Sequence, residues 1–75
     1  MKFVVIGLGH FGTALAERLV ALGHEVIGVD KSMNRVEACK DKLTNVICLD
    51  SSDPVAAGHL PLKNTDIAVV CGGSD

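Results

Sequence analysis

The chain has 75 residues, 48% of them hydrophobic, two aromatic side chains and a formal net charge of −2. This length allows one domain at most, and the slightly acidic balance argues against general nucleic-acid binding, which needs a basic surface. Because no apolar run approaches about 18 residues and the N-terminus begins directly with a strand pattern, we expect neither a membrane span nor a signal peptide.

The first half of the chain alternates strand and helix patterns. Residues 2–6 form a continuous apolar run that ends in glycine, which is typical of a strand covered on both faces. Apolar residues at helical spacing predict a helix over residues 11–22, and Gly23 suits the left-handed position that follows a helix. A second apolar run predicts a strand over residues 25–30, which ends in Asp30.

The second half continues the alternation with shorter elements. Ser32 is a candidate N-cap for a helix over residues 33–42, and residues 46–50 have the pattern of a third strand. Asp53, with a proline directly after it, predicts the N-cap of a short helix. Residues 67–71 then form a fourth apolar strand pattern.

Alternating strands and helices predict a parallel sheet with right-handed crossovers. We expect an α/β, Rossmann-like fold, the N-terminal half of a doubly wound sheet with about four strands in the order 3-2-1-4. Residues 1–75 would then form one truncated nucleotide-binding domain, which stops where the next helix is expected to begin. Its fourth strand would be an uncovered apolar edge, which predicts a homodimer or a larger homo-oligomer.

The connection between the first strand and the first helix has the pattern Gly-x-Gly-x-x-Gly, and Asp30 follows about 20 residues further on. In a dinucleotide site Gly7 turns the chain out of the strand, Gly9 lets a pyrophosphate approach the backbone, and Gly12 lets the helix pack closely. The helix N-terminus offers N–H groups to the phosphates. Asp30 accepts hydrogen bonds from ribose hydroxyls and repels a 2′-phosphate, which favours NAD(H) or an adenosine nucleotide over NADP(H).

Other residues of the same loops complete the predicted cofactor-binding set. The carboxyl ends of parallel strands meet at one edge of a sheet, so the loops after all four strands border one crevice. His10 could donate to a phosphate oxygen, and Lys31 is a cation that could accommodate an additional phosphate. The remaining members stand beside the glycines or at strand ends: Leu8, Phe11, Asp50, Ser51, Cys71 and Gly72.

Several of these positions have a purely structural alternative. Asp30 and the loop at Asp50 could serve only as helix caps, and His10 could be an exposed loop residue. The three cysteines lack Cys-x-x-Cys spacing, which indicates reduced, buried thiols in a cytoplasmic protein. We expect no catalytic and no metal-ligating residue.

The sequence resembles the KTN/RCK domain, the TrkA-N-like regulatory domain of bacterial potassium transporters and channels. The resemblance covers the whole chain and lies in four segments, residues 5–12, 23–30, 49–53 and 64–70. Phe11 inside the glycine loop distinguishes this pattern from that of most dehydrogenases.

The resemblance implies a cytoplasmic domain without catalysis of its own, peripheral to the inner membrane through its partner. It implies assembly into dimers and rings beneath a membrane potassium-translocating subunit, whose transport is gated by the bound nucleotide. The glycines would hold the phosphates, Asp30 the ribose, and Asp50 with Ser51 the adenine. Many ATP-responsive members have arginine where this chain has His10, which favours NAD(H) or ADP over ATP. The alternative function is the N-terminal half of an NAD-dependent oxidoreductase.

Overall fold

The computed structural model describes residues 1–50, 52–60 and 62–71, in which strands and helices alternate along the chain. In chain order the elements are β1 (Lys2–Ile6), α1 (His10–Ala21), β2 (Glu25–Asp30), α2 (Met33–Cys39), β3 (Asn45–Cys48), α3 (Pro54–Ala57) and β4 (Ile67–Val70). All strand pairs are parallel, and the order in the sheet is β3-β2-β1-β4. The Rossmann-like α/β fold and the strand order predicted from the sequence are therefore confirmed.

The two faces of the sheet carry cores of different size. On one face α1 and α2 cover the sheet, where Ala16 and Cys39 from the helices pack with strand residues such as Val5 and Val26. On the opposite face a smaller cluster is built on buried aliphatic side chains of β1 and β2, and Leu60 packs against it. Because successive side chains of a strand point to opposite faces, the continuous apolar runs of β1 and β2 supply both cores.

Three local signals in the sequence are confirmed. Gly23 follows α1 with a φ of +90°, the left-handed conformation that ends a helix. Ser32 caps α2, since its hydroxyl accepts a hydrogen bond from the backbone N–H of Arg35 at 3.4 Å. Asp53 caps α3 in the same way and accepts from the backbone N–H of Val55 at 2.9 Å. Each cap fixes where the chain enters or leaves a helix.

The second helix is shorter than predicted and ends at Cys39. The backbone N–H groups of Lys42 and Leu43 both donate to the carbonyl of Cys39, at 2.9 and 3.2 Å, and this turns the chain out of the helix. The turn brings Leu43 into the core, where it lies beneath Gly28 of β2. Burial of one leucine therefore ends the helix before the polar run that was expected to continue it.

The outer strands also end earlier than predicted, β3 at Cys48 and β4 at Val70. Each outer strand ends where its neighbouring strand ends. Cys48 pairs with Asp30, the last residue of β2, and Val70 pairs with Ile6, the last residue of β1. The prediction of buried thiols is wrong for Cys48, which is exposed on its edge strand. In the described part of the chain, no helix has the length and apolar character required to cross a membrane.

Candidate functional site

The glycine loop between β1 and α1 is packed so closely that two of its positions admit only glycine. Gly7 has a φ of +100°, and a Cβ atom there would collide with the carbonyl oxygen of Cys71. A Cβ atom on Gly12 would collide with the carbonyl oxygen of Gly7 and lie 3.3 Å from the Cβ atom of Cys71. The loop is therefore fixed against the chain that leaves β4.

Helix α1 begins directly after this loop without a capping side chain. Gly9 is its N-cap, with an extended backbone that any residue could adopt, and the first turn contains no acidic residue. The carbonyl of Gly9 accepts the N–H of Thr13 at 2.9 Å, which starts the hydrogen-bond ladder of the helix. The leading N–H groups and the positive end of the helix dipole are therefore suited to an anion at the carboxyl edge of the sheet.

Asp30, the last residue of β2, is buried, with 7% of its surface exposed. Its Oδ2 atom accepts the backbone N–H of Leu8 at 2.7 Å, and its Oδ1 atom accepts the backbone N–H of Ser32 at 2.8 Å. The Nη1 atom of Arg35 lies 3.7 Å from Oδ2, an ion pair too long for a direct hydrogen bond. This carboxylate therefore ties the glycine loop to the start of α2.

The same contacts determine the ionisation of Asp30. Burial raises the pKa of this carboxyl, but the hydrogen bonds from Leu8 and Ser32 and the charge of Arg35 outweigh it and hold the pKa below its usual value. An ionised carboxylate has about four acceptor positions, of which the two backbone N–H groups occupy two. Backbone donors therefore leave about two acceptor positions of the Asp30 carboxylate unused.

The three side chains of the glycine loop lie in different surroundings. Leu8 is 3% exposed and belongs to the core beneath the loop, and its N–H is already bonded to Asp30. His10 and Phe11 begin α1 and are both exposed, Phe11 by 66% of its surface. Of the three side chains, those of His10 and Phe11 are therefore the more accessible to a ligand above the loop.

Asp50 lies two residues beyond the end of β3, the strand that neighbours β2, and the N–H of Leu49 before it donates to the carbonyl of Asp30 at 2.8 Å. Its Oδ1 atom accepts the hydroxyl of Ser52 at 2.6 Å and the backbone N–H of Ser52 at 2.9 Å. These bonds, aided by the charge of Lys31, lower the pKa of Asp50. Lys31 therefore acts on Asp50, whereas the cation beside Asp30 is Arg35.

Cys71 borders the site from the β4 side. Its backbone N–H donates to the carbonyl of Ile6 at 2.7 Å, and its side chain lies in the core that α1 and α2 cover. Ser51 and Gly72, which complete the predicted set, lie outside the described residues. The fold thus brings the glycine loop, Asp30, Asp50 and Cys71 to one edge of the sheet.

A cleft of about 400 Å³ opens beside the glycine loop, between α1 and α2. Its charged and polar walls come from both helices and from the turn after α2, and include His10, Thr13, Glu17, Arg35 and Lys42. The ammonium of Lys42 lies 3.7 Å from the carboxylate of Glu17 and so links α1 to the turn that follows α2.

Sequence reasoning missed Thr13 and Arg35. Thr13 donates from its hydroxyl to the carbonyl of Leu8 at 3.0 Å and so supports the glycine loop. Arg35 could have been found from the predicted cap at Ser32, because a residue in the first turn of a helix lies close to the strand end that precedes it.

The sequence model of the TrkA-N domain matches residues 3–75. The chain belongs to the TrkA-N domain family. This confirms the family resemblance seen in the sequence, and the family is one of nucleotide-binding, Rossmann-like domains.

Individual relatives of this TrkA-N domain agree with the assignment. The chain is 30% identical over 74 residues to the Ktr system potassium uptake protein A of Bacillus subtilis (strain 168). The alignment covers 99% of the chain and 33% of that protein. The Vibrio alginolyticus protein of the same name is also 30% identical, with 34% of its length covered. The GDP-mannose 6-dehydrogenase of Pseudomonas putida is 28% identical over 86 residues, 99% of the chain and 20% of the enzyme. The chain thus spans about a third of the potassium uptake proteins that it matches.

Proposed function

We propose that this TrkA-N domain binds an adenine nucleotide at the carboxyl edge of its sheet, with NAD(H) as the first choice and ADP or ATP as alternatives. The observation that carries the proposal is the uncapped N-terminus of α1 beside the buried, ionised carboxylate of Asp30. The first suits phosphate oxygens and the second suits ribose hydroxyls. Membership in a nucleotide-binding family supports the same site.

In this proposal the pyrophosphate lies over Gly9, against the N–H groups in the first turn of α1. His10 supplies a side-chain donor at the same place, since it is exposed at the start of the helix. The N–H of Leu8 takes no part in phosphate binding, because Asp30 already accepts it. Gly7 and Gly12 act indirectly by shaping the loop.

The nucleoside half extends from Asp30 toward β3. The acceptor positions of Asp30 that Leu8 and Ser32 leave unused receive the ribose hydroxyls. Asp50 and Ser51 then face the adenine. The other members of the proposed set flank the nucleotide: Phe11, Lys31, Cys71 and Gly72.

We also propose that the domain regulates potassium uptake by a membrane-embedded partner. Similarity to two Ktr system potassium uptake proteins supports this role, and the chain corresponds to about a third of each. A nucleotide can regulate transport only if it binds one conformation of the assembly better than another, so the bound nucleotide would shift the balance between the two. The domain would act in the cytoplasm, at the inner membrane.

Self-assembly is part of this proposal. Strand β4 is an edge of the sheet, with Val70 exposed over 72% of its surface. An exposed apolar edge strand can pair with a second chain through its unpaired backbone groups. We therefore expect a homodimer or a larger homo-oligomer.

Calorimetric titration of the chain with NADH, NAD, ADP and ATP tests nucleotide binding. We expect NADH or NAD to bind more tightly than ATP, and Asp30→Ala to weaken binding at least about tenfold, because it removes charge-assisted hydrogen bonds to the ribose. Asp41→Ala is a matched control, since it removes an equal charge from an exposed turn after α2. Absence of binding by every nucleotide below millimolar concentration would contradict the proposal.

Regulation is tested in the whole protein that contains this domain. We expect potassium uptake to respond to the nucleotide in the original protein and to lose that response with Asp30→Ala, while basal uptake persists. A response that survives Asp30→Ala would place the regulatory site elsewhere.

An oxidoreductase is the second candidate, because the chain is 28% identical to a dehydrogenase over 86 aligned residues. Competition separates the two functions. A sensor that recognises the adenosine and phosphate groups should bind ADP with an affinity within about tenfold of that for NADH, whereas a hydride-transfer enzyme depends on the nicotinamide half and should bind ADP much more weakly.

A further inference from the structure

We infer that Arg35 makes the proposed site accept a 2′-phosphate, so that this domain binds NADP(H) as well as NAD(H). The inference rests on the proposed function, since it concerns the ribose end of the same site. Asp30 alone predicts discrimination against NADP(H), because a carboxylate repels a 2′-phosphate. The surroundings of Asp30 change that expectation.

Arg35 stands where a substituent on the ribose would lie. Its Nη1 atom is 3.7 Å from Oδ2 of Asp30, the carboxylate that accepts the ribose hydroxyls in the proposed complex. The side chain is 46% exposed, and the distance to Asp30 is too long for a direct hydrogen bond. A guanidinium has five N–H donors in a planar fork that matches a phosphate, so this side chain can bind an anion without leaving Asp30.

Space is available on the same side of the ribose. Arg35 lines the cleft of about 400 Å³ between α1 and α2, a volume at the lower end of the range for small-molecule sites. The same side chain therefore pairs with the proposed ribose carboxylate and lines the cleft. A phosphate on the ribose 2′-oxygen that pointed toward α2 would enter the cleft beside Arg35.

The charge of the cleft is compatible with an anion. Among the described residues that line it, Glu17 is the only acid, and it pairs with Lys42 at 3.7 Å. Arg35 is then left to offset the charge of Asp30, which also accepts two backbone N–H groups. Repulsion of a phosphate by Asp30 is thereby reduced.

Parallel fluorescence titrations of the chain with NADH and NADPH test the inference. We expect wild type to bind both, and Arg35→Ala to weaken NADPH binding about tenfold while NADH binding changes less than about threefold. Arg35→Lys should be intermediate, because an ammonium keeps the charge but cannot form the two-pronged contact. Lys40→Ala is the matched control: it removes the same charge at the end of the same helix, where Lys40 pairs only loosely with Glu37 at 3.6 Å.

The outcomes separate this inference from the proposed function. If wild type binds NADH but not NADPH, or if Arg35→Ala weakens both equally, the role of Arg35 is wrong and the nucleotide site stands. If Lys40→Ala reproduces the loss of NADPH binding, general electrostatic attraction replaces a specific contact, and the inference is also wrong. If neither nucleotide binds to wild type, the proposed function itself fails.

Discussion

The two inner strands and the two outer strands of the sheet are built differently. The largest fully buried side chains all lie in the inner strands β1 and β2: Val4, Val5, Val26 and Val29. In the outer strands β3 and β4 every residue is exposed or half-buried. An inner strand has a hydrogen-bonded neighbour on both sides, whereas each outer strand has one. The residues with the most packing and hydrogen-bonding partners therefore lie at the centre of the sheet.

The same difference divides the candidate site. Asp30, at the end of an inner strand, is buried and accepts backbone N–H groups from two separate loops. Asp50, beyond the end of an outer strand, is exposed and bonded to Ser52, two residues away. The groups proposed for phosphate and ribose are therefore held by hydrogen bonds between separate segments of the fold. The Asp50 side chain proposed for adenine is held by bonds within its own loop. Substitutions at the centre should change stability and binding together, and those at the edge should change binding alone.

The largest expected effect is at Gly7, in the glycine loop. Gly7→Ala adds a Cβ atom at a φ of +100° and against the carbonyl oxygen of Cys71. Left-handed backbone costs about 1–2 kcal/mol and overpacking about 1–3 kcal/mol, so we expect the free energy of unfolding to fall by about 3 kcal/mol. Urea denaturation measures this as a lower midpoint at unchanged slope.

Gly23 provides the control for this substitution. Its φ is also positive, at +90°, but a Cβ atom there would meet nothing within 4 Å. Gly23→Ala should therefore lose only the backbone term, about 1–2 kcal/mol. Equal losses at Gly7 and Gly23 would show that contact with the end of β4 adds nothing to the rigidity of the loop.

The next effect compares the two carboxylates directly. Asp30→Ala leaves the N–H groups of Leu8 and Ser32 without their acceptor in a buried place, so we expect the free energy of unfolding to fall by about 2 kcal/mol. Asp50→Ala removes an exposed group and should cost less than about 0.5 kcal/mol. Urea denaturation of both variants decides the matter. A loss at Asp50 as large as that at Asp30 would contradict the division of the site into a central and a peripheral part.

Much of this division could be predicted from the sequence, because the inner elements have strong local signals. The apolar runs of β1 and β2, the spacing from Gly7 to Gly12 and the position of Asp30 each depend on short segments whose chemistry allows few alternatives. The caps at Ser32 and Asp53 were predicted for the same reason, since a cap bonds only to residues two or three positions away.

The features that could not be predicted depend on contacts between distant segments. The end of α2 is set by the burial of Leu43 beneath Gly28, which is visible only when helix and strand are packed. The sequence likewise suggested Lys31 as the cation beside Asp30 because the two are adjacent. The cation that forms an ion pair with Asp30 is instead Arg35, five residues further along the chain, which the first turn of α2 brings to the end of β2.

A smaller effect should appear in the dependence of stability on pH. The pKa of Asp30 is held below its usual value, because hydrogen bonds from Leu8 and Ser32 and the charge of Arg35 outweigh the effect of burial. The unfolded chain therefore takes up this proton first as the pH falls. The stabilisation is fully present above about pH 4, the pKa of an unfolded aspartate, and is lost as the pH falls through the lower pKa of the folded state.

Urea midpoints measured from neutral pH down to about pH 3 test this dependence. We expect the urea midpoint of the wild-type chain to decrease once the pH drops below about 4. In Asp30→Asn this decrease should be smaller. Asp50→Asn should flatten it less, although the bonds from Ser52 also lower the pKa of Asp50, because solvent screens an exposed group. A curve unchanged by Asp30→Asn would mean that the buried carboxylate does not couple ionisation to folding.

The smallest effect on stability, and the clearest on assembly, is expected at the outer edge. Val70 of β4 and Val55 of α3 are exposed by 72% and 76%, so replacement of either by lysine should change the free energy of unfolding by less than about 0.5 kcal/mol. If copies of the chain pair along β4, a charge at Val70 should disrupt that pairing, because edge lysines oppose strand addition. Val55→Lys adds the same charge elsewhere and should leave assembly intact.

Light scattering at micromolar concentration measures the mass of the wild-type chain and of both variants. A monomeric wild-type chain would contradict self-assembly. An oligomer that persists in both variants would show that its interface does not include the edge of β4.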